Sequence, residues 1–229
     1  MKLLPKLFVA LTIAALAYAA YEALIVAPTE QTMGNVQRIF YYHVPSAWTA
    51  FLLFFINFLA SVIYIWKRNA AADAIAAATA EVGVVFCTVV LVTGPIWARP
   101  VWGIWWTWDA RLTTTLVLWL IYVSYLVLRR YSTGSQTALL AAALAIFGFV
   151  DVPIVYMTIR WFRTQHPSPV IGGGANSGLD PSMWPPLLWN WLAFSMLAII
   201  LVTVRYRLQR MEEDVEQQHA QAALQGGAL

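Results

Sequence analysis

Charge is what this chain most lacks. Only 11% of its 229 residues are Asp, Glu, Lys or Arg, where a soluble domain carries roughly 25%. Hydrophobic residues make up 61%, and mean hydropathy is +0.66. This excludes a soluble globular protein and points to an integral membrane protein. Cysteine is almost absent. Cys87 stands alone, which excludes an internal disulfide, and its apolar neighbours mark it as a small packing residue rather than a redox centre. No glycine-rich loop is followed by Lys and Ser or Thr, so the chain has no phosphate-cradling ATP site. No run alternates with period two, as the ~10-residue strands of a membrane barrel would, and there is no internal repeat. The net charge of +3 is no nucleic-acid signal, because in a membrane protein the distribution of Lys and Arg matters more than their sum.

What the chain has instead is long apolar runs. Crossing a bilayer as a helix takes about 20 residues, and runs of that order lie at 7–27, 46–66, 74–98, 112–129, 138–159 and 185–204. The expected fold is an all-α bundle of six transmembrane helices over 1–207, followed by a polar, Gln/Ala-rich tail at 208–229. Lys2, Lys6 and Ala17-Tyr18-Ala19 have the look of a signal peptide, but the apolar run continues through Val26, so the first run is read as a retained span. Gly172–Gly178 reads as a flexible loop. If the spans alternate, Lys2, Lys6, Lys67, Arg68, Arg129, Arg130, Arg205, Arg207 and Arg210 fall on one side. Arg38, Arg99, Arg111, Arg160 and Arg163 fall on the other. The richer side is the cytoplasmic one, so both termini are expected there.

The loop between spans three and four is then on the outer face, and it is dense in tryptophan. Trp97, Trp102, Trp105, Trp106 and Trp108 precede Asp109 and Arg111. Trp48, Trp161 and Trp184 belong to the same face, whereas the inner face has only Trp66, and Trp119 is near mid-span. An aromatic belt would mark both interfaces, so the one-sided excess argues for a site. If 102–111 is helical, starting after Pro100, then Trp102, Trp105, Trp106 and Asp109 fall within an arc of about 100°. Such a face suits a planar macrocycle. Trp108 falls on the flank, and Asp109 is placed to orient an indole N–H or a backbone amide, or to pair with a cation.

Two of the three histidines fall on the same face. His43 precedes span two in Tyr41-Tyr42-His43-Val44-Pro45, and His166 follows span five in Arg163-Thr164-Gln165-His166-Pro167. His219 is in the tail. Met33, Val36, Phe40 and His43 share one helical face, with Thr29 as N-cap and Pro45 as stop, which predicts a short helix lying on the outer membrane surface. Neutral imidazole ligates haem iron, and two imidazoles make it six-coordinate. The outward arginines suit the propionates through bidentate bonds, with Arg111, adjacent to the tryptophan run, the first candidate among them.

The stretch Trp102-Gly103-Ile104-Trp105-Trp106-Thr107-Trp108-Asp109-Ala110-Arg111 resembles the tryptophan-rich "WWD" signature of the haem-handling superfamily. Tyr42 to Trp48 and Trp161 to His166 resemble the segments that hold the two ligand histidines in the CcmC family. One such motif, two outer histidines and six spans resemble that family over essentially the whole chain. The sequence departs from the family pattern around Gln165-His166-Pro167 and in the Ile171–Gly174 insert. The resemblance implies haem b held by His43 and His166 against Trp102, Trp105, Trp106, Trp108, Asp109 and Arg111, at the periplasmic face of the bacterial inner membrane. It implies delivery of haem to a CcmE-like chaperone in cytochrome c maturation, alongside the CcmA/CcmB transporter pair and CcmD. It implies a transfer factor, not an enzyme.

Two other classes compete. A b-type cytochrome subunit exchanging electrons with quinone would place its histidines inside the spans rather than in outer loops. A transporter or channel without cofactor draws its support from Glu81, Asp151 and Asn57, since polar and ionisable groups at membrane depth are often functional.

Overall fold

The structure, a computed structural model, describes residues 3–132, 134, 136–171 and 178–226. The glycines at 172–174 of the expected flexible loop lie outside the described residues, as does Lys2. In chain order the helices are α1 (Leu3–Tyr21), α2 (Phe40–Lys67), α3 (Ala70–Trp102), α4 (Ala110–Tyr131), α5 (Thr137–Phe149), α6 (Asp151–Trp161) and α7 (Trp184–Gly226). A π-helical turn, Glu22–Val26, extends α1, and 3-10 turns at Asn35–Ile39 and Pro181–Met183 lead into α2 and α7. Among the described residues there is no strand, and six helical stretches are long and apolar enough to cross a membrane. Helices satisfy their backbone hydrogen bonds internally, which lipid demands of any spanning segment. The all-α membrane bundle expected from the sequence is the fold found.

Local sequence sets the helix ends. Arg68 takes a left-handed conformation (φ 50°) and closes α2, and Asn69 caps α3 by accepting the Ala72 N–H at 3.1 Å. This tight turn lays α3 back along α2, the most extensive helix pair of the bundle. Small residues permit the close approach. Ala74, Ala76, Ala78 and Ala80 of α3 are buried, and a Cβ on Gly83 would come within 2.7 Å of Phe54 Cε1 on α2. Phe54 in turn stacks on Tyr122 of α4, with ring centres 3.8 Å apart. Cys87 is buried in this same core, as its apolar setting implied.

Polar groups inside the bundle tie helices together. Asn57 Nδ2 donates to the Ala76 carbonyl at 2.7 Å. Asp73 meets Arg129 in a bidentate pair at 2.6 and 2.8 Å. Glu81, one of the residues favouring a transporter, is paired with Arg205 of α7 at 2.7 Å. Asp151 is different. It is only 9% exposed, and its Oδ2 has no hydrogen-bond partner among the described residues.

Three expectations need correction. The fifth span is not one helix: it breaks at Val150, because Pro153 has no N–H to offer the Phe149 carbonyl. The segment before span two does not cap at Thr29 or stop at Pro45. Its short 3-10 turn runs directly into α2, and Pro45 sits inside that helix, where loss of one backbone bond does not end a span packed on α3. His43 therefore belongs to the first turn of α2 rather than to a separate surface helix. Pro100 does not start a helix but lies within the last turns of α3. The Gln/Ala-rich tail runs on from α7 as helix to Gly226.

The Gly83–Phe54–Tyr122 stack predicts that Gly83→Leu overpacks the core. Thermal unfolding in detergent is expected to show a loss of about 1–3 kcal/mol, with Gly83→Ala losing less.

Candidate functional site

The helix predicted over 102–111 does not form. α3 ends at Trp102, where Gly103 (φ 80°) adopts a left-handed cap and its N–H bonds the Arg99 carbonyl at 3.0 Å. α4 begins at Ala110. Residues 103–109 cross between them as irregular backbone. Trp102, Trp105, Trp106 and Asp109 therefore do not share a helical face. The tryptophans associate edge to face instead, Trp97 with Trp102 at 5.1 Å and Trp106 with Trp108 at 5.7 Å. This is the arrangement that ring quadrupoles favour. Trp105 and Trp108 are 59% and 75% exposed, whereas Trp102 and Trp106 are half-buried. Trp106 Nε1 is buried with no acceptor among the described residues.

Asp109 organises the segment. Its Oδ1 accepts the Leu112 N–H at 3.0 Å and so caps α4, which is the backbone-orienting role open to it from sequence. Its Oδ2 accepts from the Thr107 hydroxyl at 3.2 Å and from the Thr164 hydroxyl at 2.8 Å. Thr164 Oγ1 also accepts the backbone N–H of His166 at 3.1 Å. One carboxylate thus fastens the tryptophan segment to the loop that follows α6 and carries His166. An open depression of ≈ 360 Å³ lies here, lined by Thr107, Asp109, Arg163, Thr164 and Gln165.

The two histidines, 123 positions apart in the chain, come together with ring centres 6.5 Å apart and planes inclined at 37°. His43 comes from the first turn of α2 and lies beside Gly94 of α3. A Cβ there would sit 3.5 Å from His43 Cε1, so glycine leaves that flank of the ring open. His43 Nδ1 is 2.8 Å from Thr93 Oγ1, and His166 Nδ1 is 2.8 Å from the Pro167 carbonyl. The packed surroundings of the His166 ring, and then the Arg111 charge nearby, pull its pKa down to about 4. It is a neutral imidazole at ordinary pH, the form that ligates metal.

The spacing and chemistry fit a haem iron. A metal between two imidazole nitrogens separates the ring centres by roughly 6 Å, from two bonds of about 2 Å and two ring radii of about 1 Å. Among the described residues no three His, Cys, Asp or Glu gather as a metal-binding set. Two imidazoles on their own suit an ion whose remaining ligands come with it, as the pyrrole nitrogens of a porphyrin do.

The arginines divide. Arg111 Nη1 donates to the Val155 and Tyr156 carbonyls of α6 at 2.9 and 3.5 Å, fastening α4 to α6. Arg38 bonds the Ala23 carbonyl at 2.9 Å, and Arg99 bonds the Gly103 carbonyl. Arg160 lies over the Tyr156 ring at 5.2 Å. Arg163 lines the depression beside Asp109. Sequence reasoning missed Thr93, Gly94 and Thr164. Nothing in their spacing marks them, since each matters only through a neighbour on another element. Asp109→Ala is expected to lower stability by about 1–2 kcal/mol through loss of the cap and the threonine contacts. Asp109→Asn, which keeps an acceptor for Leu112 N–H, should recover most of that in thermal unfolding.

Comparison with known proteins finds relatives that match nearly the whole chain. The family model described as "CcmC: Heme exporter protein C" matches residues 1–221. The "Heme exporter protein C" of Bradyrhizobium diazoefficiens is 36% identical over 202 residues, covering 87% of this chain and 76% of that protein. The protein of the same name from Escherichia coli is 36% identical over 183 residues, covering 79% of this chain and 73% of its own. A "putative cytochrome c biosynthesis ccmC-like mitochondrial protein" of Arabidopsis thaliana is 33% identical over 192 residues, covering 84% and 73%. With a match of this extent joined to a tryptophan-rich loop and two facing histidines, the chain belongs to the CcmC, or Heme exporter protein C, family.

Proposed function

We propose that this protein handles haem for cytochrome c maturation, holding haem b as cargo between His43 and His166 at the periplasmic face of the bacterial inner membrane. The observation that carries the reading is the pairing of two imidazoles from separate elements, with ring centres 6.5 Å apart, one of them in a loop fastened through Thr164 to Asp109 of the tryptophan segment. Both termini are then cytoplasmic, in keeping with the excess of Lys and Arg at the opposite end of the bundle. The family names of the relatives, which refer to haem export and cytochrome c biosynthesis, support the same role.

The tryptophans divide by exposure into two functions. Trp102 and Trp106, half-buried, contact the cargo, and the Trp106 indole N–H is owed an acceptor that a propionate supplies. Trp105 and Trp108, well exposed, face a receiving protein. That receiver is a CcmE-like haem chaperone, with the CcmA/CcmB transporter pair and CcmD as further partners. Arg163, in the depression beside Asp109, is better placed for a propionate than Arg111, whose guanidinium is already engaged by α6. The protein is a binding and handover factor rather than an enzyme, and ATP hydrolysis belongs to its partners.

A quinone-linked cytochrome is less well supported, because His166 lies in a loop outside every candidate span. A cofactor-free transporter loses Glu81 to its pair with Arg205, leaving Asp151 as its main support.

His43→Gly and His166→Gly should each abolish the six-coordinate absorption spectrum of the purified protein, and added imidazole should restore it. Unchanged spectra in both variants would sink the proposal. Trp105→Ala combined with Trp108→Ala should leave bound haem in place yet slow its transfer to the chaperone, measured by covalent haem on the acceptor.

A further inference from the structure

Thr93 stands behind His43, and its hydrogen bonds constrain which nitrogen of that ring is bare. Thr93 Oγ1 lies 2.7 Å from the Val89 carbonyl, four residues back along α3, and 3.4 Å from the Val90 carbonyl. It also lies 2.8 Å from His43 Nδ1. A hydroxyl owns one proton. Two oxygens 2.7 Å apart with no proton between them repel, so the proton lies on the line to Val89. The Thr93 oxygen then has only lone pairs for His43, and the 2.8 Å contact is a hydrogen bond only if Nδ1 carries the ring proton. A neutral imidazole has one N–H, so Nε2 is left with its lone pair free.

The same outcome arises at His166 by different means. Its Nδ1 is 2.8 Å from the Pro167 carbonyl, which can only accept. A helix hydroxyl on one side and a loop carbonyl on the other therefore impose one tautomer on both rings. Donation from Nδ1 also raises the basicity of Nε2, as outer partners of metal-bound histidines do.

We infer that Thr93 is a positioning residue that holds His43 as the Nδ1–H tautomer and so keeps Nε2 bare for iron; the last step rests on the haem reading above, whereas the tautomer does not. The chain has three histidines, which makes the test tractable. Haem-free protein labelled with ¹⁵N-histidine is examined in detergent by long-range ¹H–¹⁵N correlation, with His166→Gln and His219→Gln assigning the signals. The expected native pattern for His43 is a protonated Nδ1 and an unprotonated Nε2. Thr93→Val should lose that pattern at His43 but not at His166, and Thr93→Ser, which keeps the hydroxyl, should retain it. In haem-loaded protein Thr93→Val should weaken haem retention by about tenfold to a hundredfold, with Thr93→Ser close to native. A native His43 protonated on Nε2 overturns the inference even if Thr93→Val fails to fold. Unaltered haem retention in Thr93→Val overturns the positioning role. The expected tautomers in a native protein that takes up no haem would sink the haem reading alone and leave the tautomer assignment standing.

Discussion

The candidate site depends on Asp109. Its two carboxylate oxygens end the irregular tryptophan segment, start α4 and hold the loop carrying His166, through Leu112 N–H, Thr107 and Thr164. The His166 loop, which follows a short half-helix, is held further along by the Tyr156 hydroxyl on the Ile171 carbonyl at 2.5 Å and by Val170, which packs against a cluster that includes Tyr41. Charge-assisted bonds to one carboxylate are stronger than neutral ones, so a single residue sets the distance between elements more than fifty positions apart. Arg111, two residues beyond the cap, adds a second fastening by bonding α6 carbonyls.

The remainder of the bundle follows from the demands of lipid. Spanning segments must satisfy their own backbone, so irregular chain is confined to the ends of the spans or to places buried within protein. The 103–109 crossing and the 162–171 loop obey the first condition, and both lie at the end where His43 also stands. The break at Val150 is exposed but keeps its backbone satisfied locally: the Val150 N–H bonds the Phe147 carbonyl at 3.2 Å, and the neighbouring Gly148 lies against Ile121 of α4. Small residues on α3 allow the close α2 contact that brings Thr93 and Gly94 up to His43. Packing of the spans and tuning of the ligand are therefore one arrangement, because the helix that supplies the small residues also supplies the hydroxyl behind the imidazole.

Much of this was legible in the residues. Six apolar runs, the one-sided tryptophans and the two histidines could all be read from type and spacing. The misreadings share a cause. A helical period fitted Trp102, Trp105, Trp106 and Asp109, yet Gly103 and Asp109 are themselves stop and start signals, and local caps prevailed over the period. Pro45 and Pro100 read as boundaries, but each costs one backbone bond, which tertiary packing of a long helix outweighs. Pro153 did break its span, where the helix on either side is short.

Composition and run length dictate a membrane-embedded helical bundle, because continuous apolar runs of about 20 residues cross lipid as helices, whereas a barrel needs short alternating strands. Residue identity also supplies the ligands and the aromatic surface. Folding alone decides that His43 meets His166, that the tryptophans pair edge to face rather than forming a flat wall, and that Arg111 is engaged by α6. Folding likewise brings Thr93 and Thr164 behind the site. These are contacts between elements distant in the chain, and local periodicity holds no information about them. They exist only once close helix packing has set which faces meet.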